Sequence, residues 1–272
     1  MRSKIALLAS CLALAALPAS LSAQTFVGSG VVPSVQSHSA ERPIGFAASA
    51  APGGALVILT AAADLPALTG VTLTDAERAA IGAAIASAKF DGKAGSTLSL
   101  RGMGAYARIL LVGTGTDATM LARAEAGGKA AQELRSEAQP VTITGAFTGA
   151  EAADVAYGFA LGQYRFDRYK TVDRKAPPAD PVTLVGGDAA AARAAFTGRH
   201  APLVDGVRLS RDLANEPANV IYPDSFIAEV RKAFGSTANV TIEVLDEAAM
   251  RRLNMGSIVG VVVAGRYLLR PV

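Results

Sequence analysis

The sequence predicts an α/β protein with a substantially parallel or mixed sheet. Short apolar β-type runs alternate with helical patterns from about residue 55 onward. Capping and proline signals mark several of the helix ends. The balance of 51% apolar and 18% charged residues over 272 positions is that of a globular chain with room for one large domain or two smaller ones.

The elements run in order along the chain. Residues 24–54, rich in Ser, Gly, Pro and Val, read as an irregular or edge segment. Ala55 to Thr60 reads as a strand. Thr74-Asp-Ala-Glu77 is a capping box, and Ile81, Ile85 and Ala88 continue one helical face behind it. Thr97 to Leu100 and Arg108 to Val112 read as strands, followed by the Gly113-Thr-Gly115 turn and a helix over about Asp117 to Ala138. Pro140 to Thr144 is the next strand, then a helix over about Ala150 to Gln163, then a strand at Val182 to Val185. The proline-rich stretch Lys175 to Pro181 is a loop, since its prolines cannot sit inside a helix. From Ala189 the chain is helical, with an expected break near Gly198 to Pro202. Leu203, Val207, Ser210 and Ala214 then keep helical spacing until Pro217. Pro223 begins another helix, Val240 to Leu245 alternates as a strand, and Asp246 caps a short helix to Asn254.

The first 23 residues read as an export signal: Arg2 and Lys4, an apolar run from Ile5 to Leu17, and a small-residue end at Leu21-Ser-Ala23. Cleavage after Ala23 sends the protein to the periplasm or the exterior. It also removes two basic residues, leaving 24 against 23 acidic ones in place of the formal +3. That near-neutral balance gives no footprint for nucleic acid, and no apolar run is long enough to span a membrane. Cys11 lies inside the signal, so the mature chain has no thiol chemistry. Leu8-Ala-Ser-Cys11 also fits a lipoprotein cleavage pattern, the lesser of the two readings.

Few residues suggest chemistry on their own. The glycine turn at Leu111 to Thr116 lacks the third glycine of a dinucleotide motif, because Ala118 stands there. Gly128-Lys129 sits within a helical pattern and lacks the upstream glycine of a phosphate loop. The two histidines, His38 and His200, have no metal-ligand spacing and read as surface or loop residues. No pair of acidic residues has a spacing that argues for a two-metal cluster.

Two segments say more. Gly162-Gln-Tyr-Arg-Phe-Asp-Arg-Tyr-Lys170 and Arg211-Asp-Leu-Ala-Asn-Glu-Pro-Ala-Asn219 resemble, in order and separation, hallmark segments of the leucyl aminopeptidase (M17) family. Val244-Leu-Asp-Glu247, Met255-Gly256 and the Leu111 to Gly115 turn extend the resemblance over about residues 50 to 260. Read as residues, the aromatics and charges of Tyr164 to Lys170 suit a buried corner with paired Arg and Asp. Asn215 can bond the carbonyls freed where Pro217 ends a helix. Glu216, with no evident neighbour to tune it, is a poor base.

The resemblance implies a macro-domain-like amino-terminal α/β domain over 24–188 and a linking helical segment over 189–217. The incomplete start of a peptidase domain would then occupy 218–272. It implies metal-dependent removal of amino-terminal residues from peptides with two divalent ions (zinc, manganese or magnesium), and assembly as hexamers. The family's metal ligands and catalytic Lys and Arg lie in a Gly-Lys-Gly segment and an Asn-Thr-Asp-Ala-Glu-Gly-Arg segment. Neither occurs here, so no catalytic, metal or substrate-binding residue is carried over. Three expectations stand side by side: an aminopeptidase chain cut short and inactive as given, a stand-alone macro-like binding module, or a remnant without function.

Overall fold

The computed structural model describes residues 41–117, 119–170 and 180–261. Residues 1–40, with the expected export signal, Cys11 and His38, lie outside the described residues, as do Ala118, most of the 175–181 loop and the stretch from 262. The described part divides into two compact units, one within 34–221 and one from Tyr222 on.

The larger unit is built on a six-stranded sheet of order β1-β6-β5-β2-β4-β3. Its strands are β1 (Ile44–Ala47), β2 (Ala55–Thr60), β3 (Thr97–Met103), β4 (Tyr106–Gly113), β5 (Val141–Gly145) and β6 (Val182–Val185). All pairings are parallel except the β3–β4 hairpin at one edge, so the sheet is mixed, as the sequence predicts. β1, four residues long, forms the other edge. Six residues of β2 are buried on both faces, which is why the strand reads as a continuous apolar run rather than an alternating one.

The two-residue period of the strands sorts the core into layers. Leu56, Ile58, Ile109 and Leu111 face α1 (Asp75–Ala88), where Ile81 and Ile85 meet them. Ala88, expected on the same helical face, is exposed. On the opposite face Val57, Leu59, Leu110 and Ile143 pack against α2 (Met120–Glu133) and α3 (Gly149–Gly162) through Ala126, Ala130, Val155 and Phe159. Each of the larger side chains buried here (Val, Leu, Ile, Phe) contributes about 1.5–3 kcal/mol.

Helices α2 and α3 cross at main-chain contact. A Cβ on Gly158 would stand 1.7 Å from the Ala124 carbonyl oxygen, and one on Gly127 would stand 2.1 Å from that of Val155. Only a hydrogen fits at either place.

The N-termini hold to the sequence signals. Thr74 and Glu77 form the reciprocal cap of α1, and Thr119 accepts from the Ala122 N–H at the start of α2. α2 runs shorter than the expected 117–138 because the chain leaves the helix after Glu133 in a turn.

The expected helix break near Gly198 to Pro202 does not occur. α4 (Ala189–Ala195) passes into one π-helical turn, Phe196–His200, and then directly into α5 (Ala201–Asn215). In the widened turn the Ala201 N–H reaches back five residues to the Phe196 carbonyl. Pro202, in the first turn of α5, has no N–H to place.

In the unit from Tyr222 on, α6 (Pro223–Phe234) starts at the proline and carries Asp224 in its first turn. α7 (Glu247–Arg252) begins after the Asp246 cap, whose carboxylate accepts from the Ala249 N–H at 2.7 Å. The expected strand at Val240 to Leu245 is irregular. Alternation alone cannot hold a strand, whose N–H and C=O groups need a neighbouring ladder; none of the described strands pairs with it.

Candidate functional site

The two segments that stand out in the sequence meet in space. Residues 164–170 leave the end of α3 and fold over the last two turns of α5. The Tyr164 hydroxyl donates to Asp212 Oδ1 at 2.8 Å and accepts from Asn215 Nδ2 at 3.4 Å. The Arg211 guanidinium lies 5.3 Å from the centre of the Tyr164 ring and donates to the Leu161 carbonyl at 2.8 Å. Arg168 forms an ion pair with Glu216, and the Tyr169 hydroxyl donates to the other oxygen of the same carboxylate.

The Glu216 side chain is 5% exposed, and that of Arg168 is 16%. Glu216 is therefore far from lacking neighbours, contrary to the expectation from sequence. A guanidinium and a phenol hold its two oxygens. Burial, with the Asp212 carboxylate second, pushes the Tyr164 phenol up to about 12. Asn215 Nδ2 bonds the Arg211 carbonyl one turn back at 2.7 Å, adding a second donor to a carbonyl within the helix.

His200 is the other correction. It is 2% exposed, not a surface histidine, and its Nε2 lies 3.0 Å from Asp154 Oδ1. The carboxylate can only accept there, so Nε2 carries the proton. The ring stacks on Tyr157 at 5.0 Å. Asp154 Oδ2 accepts from Arg123 Nε and Nη2 at 3.0 and 2.8 Å, and Arg123 Nη1 reaches Glu151 at 3.1 Å. The Thr148 N–H, with help from its hydroxyl and from Arg123, holds the Glu151 carboxyl below its usual range. This network ties α2, α3 and the π-helical turn together. Its partners stand 46 and 31 residues apart along the chain. Histidine spacing along the sequence could not reveal it.

The Gly113-Thr-Gly115 turn is a stitched βα connection. Gly113 exchanges backbone bonds with the 95–96 segment at 3.0 and 2.8 Å, and a Cβ there would meet the Lys93 carbonyl oxygen at 2.0 Å. Thr114 N–H bonds the Thr60 carbonyl at 2.9 Å. The N-terminus of α3, a possible anion site, is filled by the chain's own Glu151 carboxylate. Gly128 and Lys129 lie within α2, as expected.

Among the described residues no group of three or more His, Cys, Asp or Glu could hold a metal ion, so the two metals implied by the family resemblance do not fit the side chains described. None of the described helices is long and apolar enough to cross a membrane.

Comparison with known proteins agrees with the order of the motifs. Residues 56–173 match the model of the cytosol aminopeptidase family N-terminal domain, and residues 208–268 match that of the family's catalytic domain. A probable cytosol aminopeptidase of Bradyrhizobium sp. is 38% identical over 200 residues, covering 69% of this chain and 39% of the relative. One from Rhizobium etli is 37% identical over 235 residues, covering 82% of this chain and 47% of the relative. The solved structure of a tomato leucine aminopeptidase mutant superposes with a TM-score of 0.63 at 22% identity, over 80% of this chain and 47% of that one. That likeness concerns the fold. The chain spans about two fifths of the length of the first curated relatives it matches.

Proposed function

Because the chain belongs to the cytosol aminopeptidase (M17) family, we propose that residues 34–221 are the scaffold unit of a metal-dependent aminopeptidase. In this reading the residues from Tyr222 on begin the peptidase region. The observation that carries the proposal is the succession of two family models along one chain, amino-terminal at 56–173 and catalytic at 208–268. The division of the described residues near Ile221 falls within the catalytic-domain match, so the end of α5 belongs both to the scaffold unit and to that match.

The described residues do not supply the chemistry. Hydrolysis by two metals needs several carboxylate ligands around an open site, and no such group stands among them. The two clusters described above are closed: Asp154 by Arg123 and His200, Glu216 by Arg168 and Tyr169. They bind the fold to itself rather than a substrate.

The 272-residue polypeptide is accordingly expected to release no amino-terminal residue from peptides. Purified chain incubated with leucine p-nitroanilide and zinc, manganese or magnesium should give the same absorbance as metal alone. Metal-dependent release that scales with protein concentration would overturn the proposal, and would require ligands outside the described residues.

A stand-alone nucleotide-binding role draws no support from the geometry. The glycine turn is occupied by backbone bonds, and the α3 N-terminus by Glu151.

A further inference from the structure

We propose that Glu216 is a positioning residue that fixes the course of the backbone as it leaves the scaffold unit, acting through Arg168 and Tyr169. The inference rests on the scaffold reading above and concerns only the last residues of that unit, up to Ile221.

The chain has to stop being helical at this point. α5 ends at Asn215, and Pro217 has no N–H with which to continue the ladder. Pro217 also holds the residue before it in the extended region, so the φ and ψ of Glu216 follow from the proline ring. What the ring does not set is how the extended segment is tied to the rest of the unit, and that tie is made by a side chain. Glu216 adopts an extended conformation, φ −68° and ψ 137°, while its N–H still bonds the Asp212 carbonyl at 3.1 Å. Its carboxylate turns back to the 164–170 corner and is gripped by two donors from adjacent residues, Arg168 and Tyr169.

Those donors are themselves held. The Arg168 guanidinium lies 5.7 Å from the centre of the Phe166 ring, and that ring packs against Tyr169 at 5.9 Å. Immediately downstream, the Val220 and Ile221 N–H groups both bond the Pro217 carbonyl, at 2.8 and 3.0 Å, and Val220 is buried. The path from Asn215 to Ile221 is thus pinned at its start by Glu216 and drawn into a compact turn at its end.

The neighbouring contacts divide the labour. Tyr164, Arg211 and Asn215 act on the body of α5, and they remain when Glu216 is removed. Losing Glu216 should therefore free the exit without loosening the helix, a distinction that a residue of general structural importance would not make.

Amide hydrogen exchange on the full 272-residue chain tests this. In Glu216→Gln and Glu216→Ala, the bonded N–H groups of this stretch, those of residue 216, Val220 and Ile221, should exchange about ten- to a hundredfold faster than in the native protein. Those of α5 up to Asp212, and of β2, β4 and β5, should stay within about threefold. Arg168→Ala should have the same local effect, and the Arg168→Ala/Glu216→Ala pair should be no worse than the more severe single variant. The reciprocal exchange, Arg168→Glu with Glu216→Arg, should recover protection at 216–221. Unchanged exchange at 216–221 would overturn the proposal. So would additive single variants, failure of the reciprocal pair, or protection lost across the whole sheet. None of these readings depends on peptidase activity, so the positioning role can fail while the family function stands, and the reverse.

Discussion

The crossing of α2 with α3 and the corner where 164–170 meets 211–216 hold helices in opposite ways. At the crossing, main chain touches main chain: Gly127 and Gly158 leave no room for a Cβ, and the fit is purely steric. At the corner, long side chains reach across gaps with directed bonds: a phenol to a carboxylate, a guanidinium to a carboxylate, a guanidinium over a ring. Steric contact is all-or-none, because the carbonyl oxygens opposite a new Cβ belong to a packed helix and cannot retreat. Directed contact is graded, because each bond contributes about 0.5–3 kcal/mol and several share the work. The first mode secures the existence of the layer, the second the placement of one segment on another.

Substitutions can break or sharpen this contrast. The largest effect is expected at Gly158. Gly158→Ala should cost about 4 kcal/mol or more, a large share of a domain's net stability, and thermal unfolding should show a greatly lowered or absent transition. A melting temperature close to that of the native protein would show that the helices can move apart and would dissolve the contrast.

Asp154→Asn is intermediate. It strips Arg123 and His200 of a largely buried shared carboxylate while leaving Arg123 its bond to Glu151, so urea titration should register about 2–3 kcal/mol lost. A loss as large as that of the glycine variant would place this network with the steric mode.

Tyr164→Phe is the smallest, about 1 kcal/mol by the same titration at neutral pH. It also has a pH signature. The folded-state phenol titrates near 12, above its ordinary value near 10. Its stabilisation is fully present below pH 10 and is lost as pH rises through 12. Burial also raises the Tyr106 phenol, so the native protein should weaken over that range from more than one source. Tyr164→Phe should weaken less steeply, and an identical alkaline slope in both proteins would remove Tyr164 from the account.

Much of the scaffold was legible in the sequence for local reasons. β2 and β6 fall where short apolar runs end in turn residues, and the capping signals at Thr74, Asp246 and Pro223 name their helix starts. A cap is a bond between residues three apart, so sequence alone contains it. What sequence did not contain was pairing over distance. The ties from Tyr164 to Asp212 and from Arg168 to Glu216 span 48 residues, and no local pattern announces them. His200 read as a loop residue because Gly198 and Pro202 flank it, whereas a π-helical turn carried it into the interior beside Asp154. The Val240 to Leu245 segment errs the other way: its alternation is locally that of a strand, but the ladder that would make it one is a non-local property.

The glycine crossing has one further consequence. The volume lost when a protein unfolds under pressure scales with the internal voids that unfolding eliminates. Where two helices meet backbone to backbone, there are no interlocking side chains to leave gaps between them. Compression should therefore find little to squeeze out at that junction.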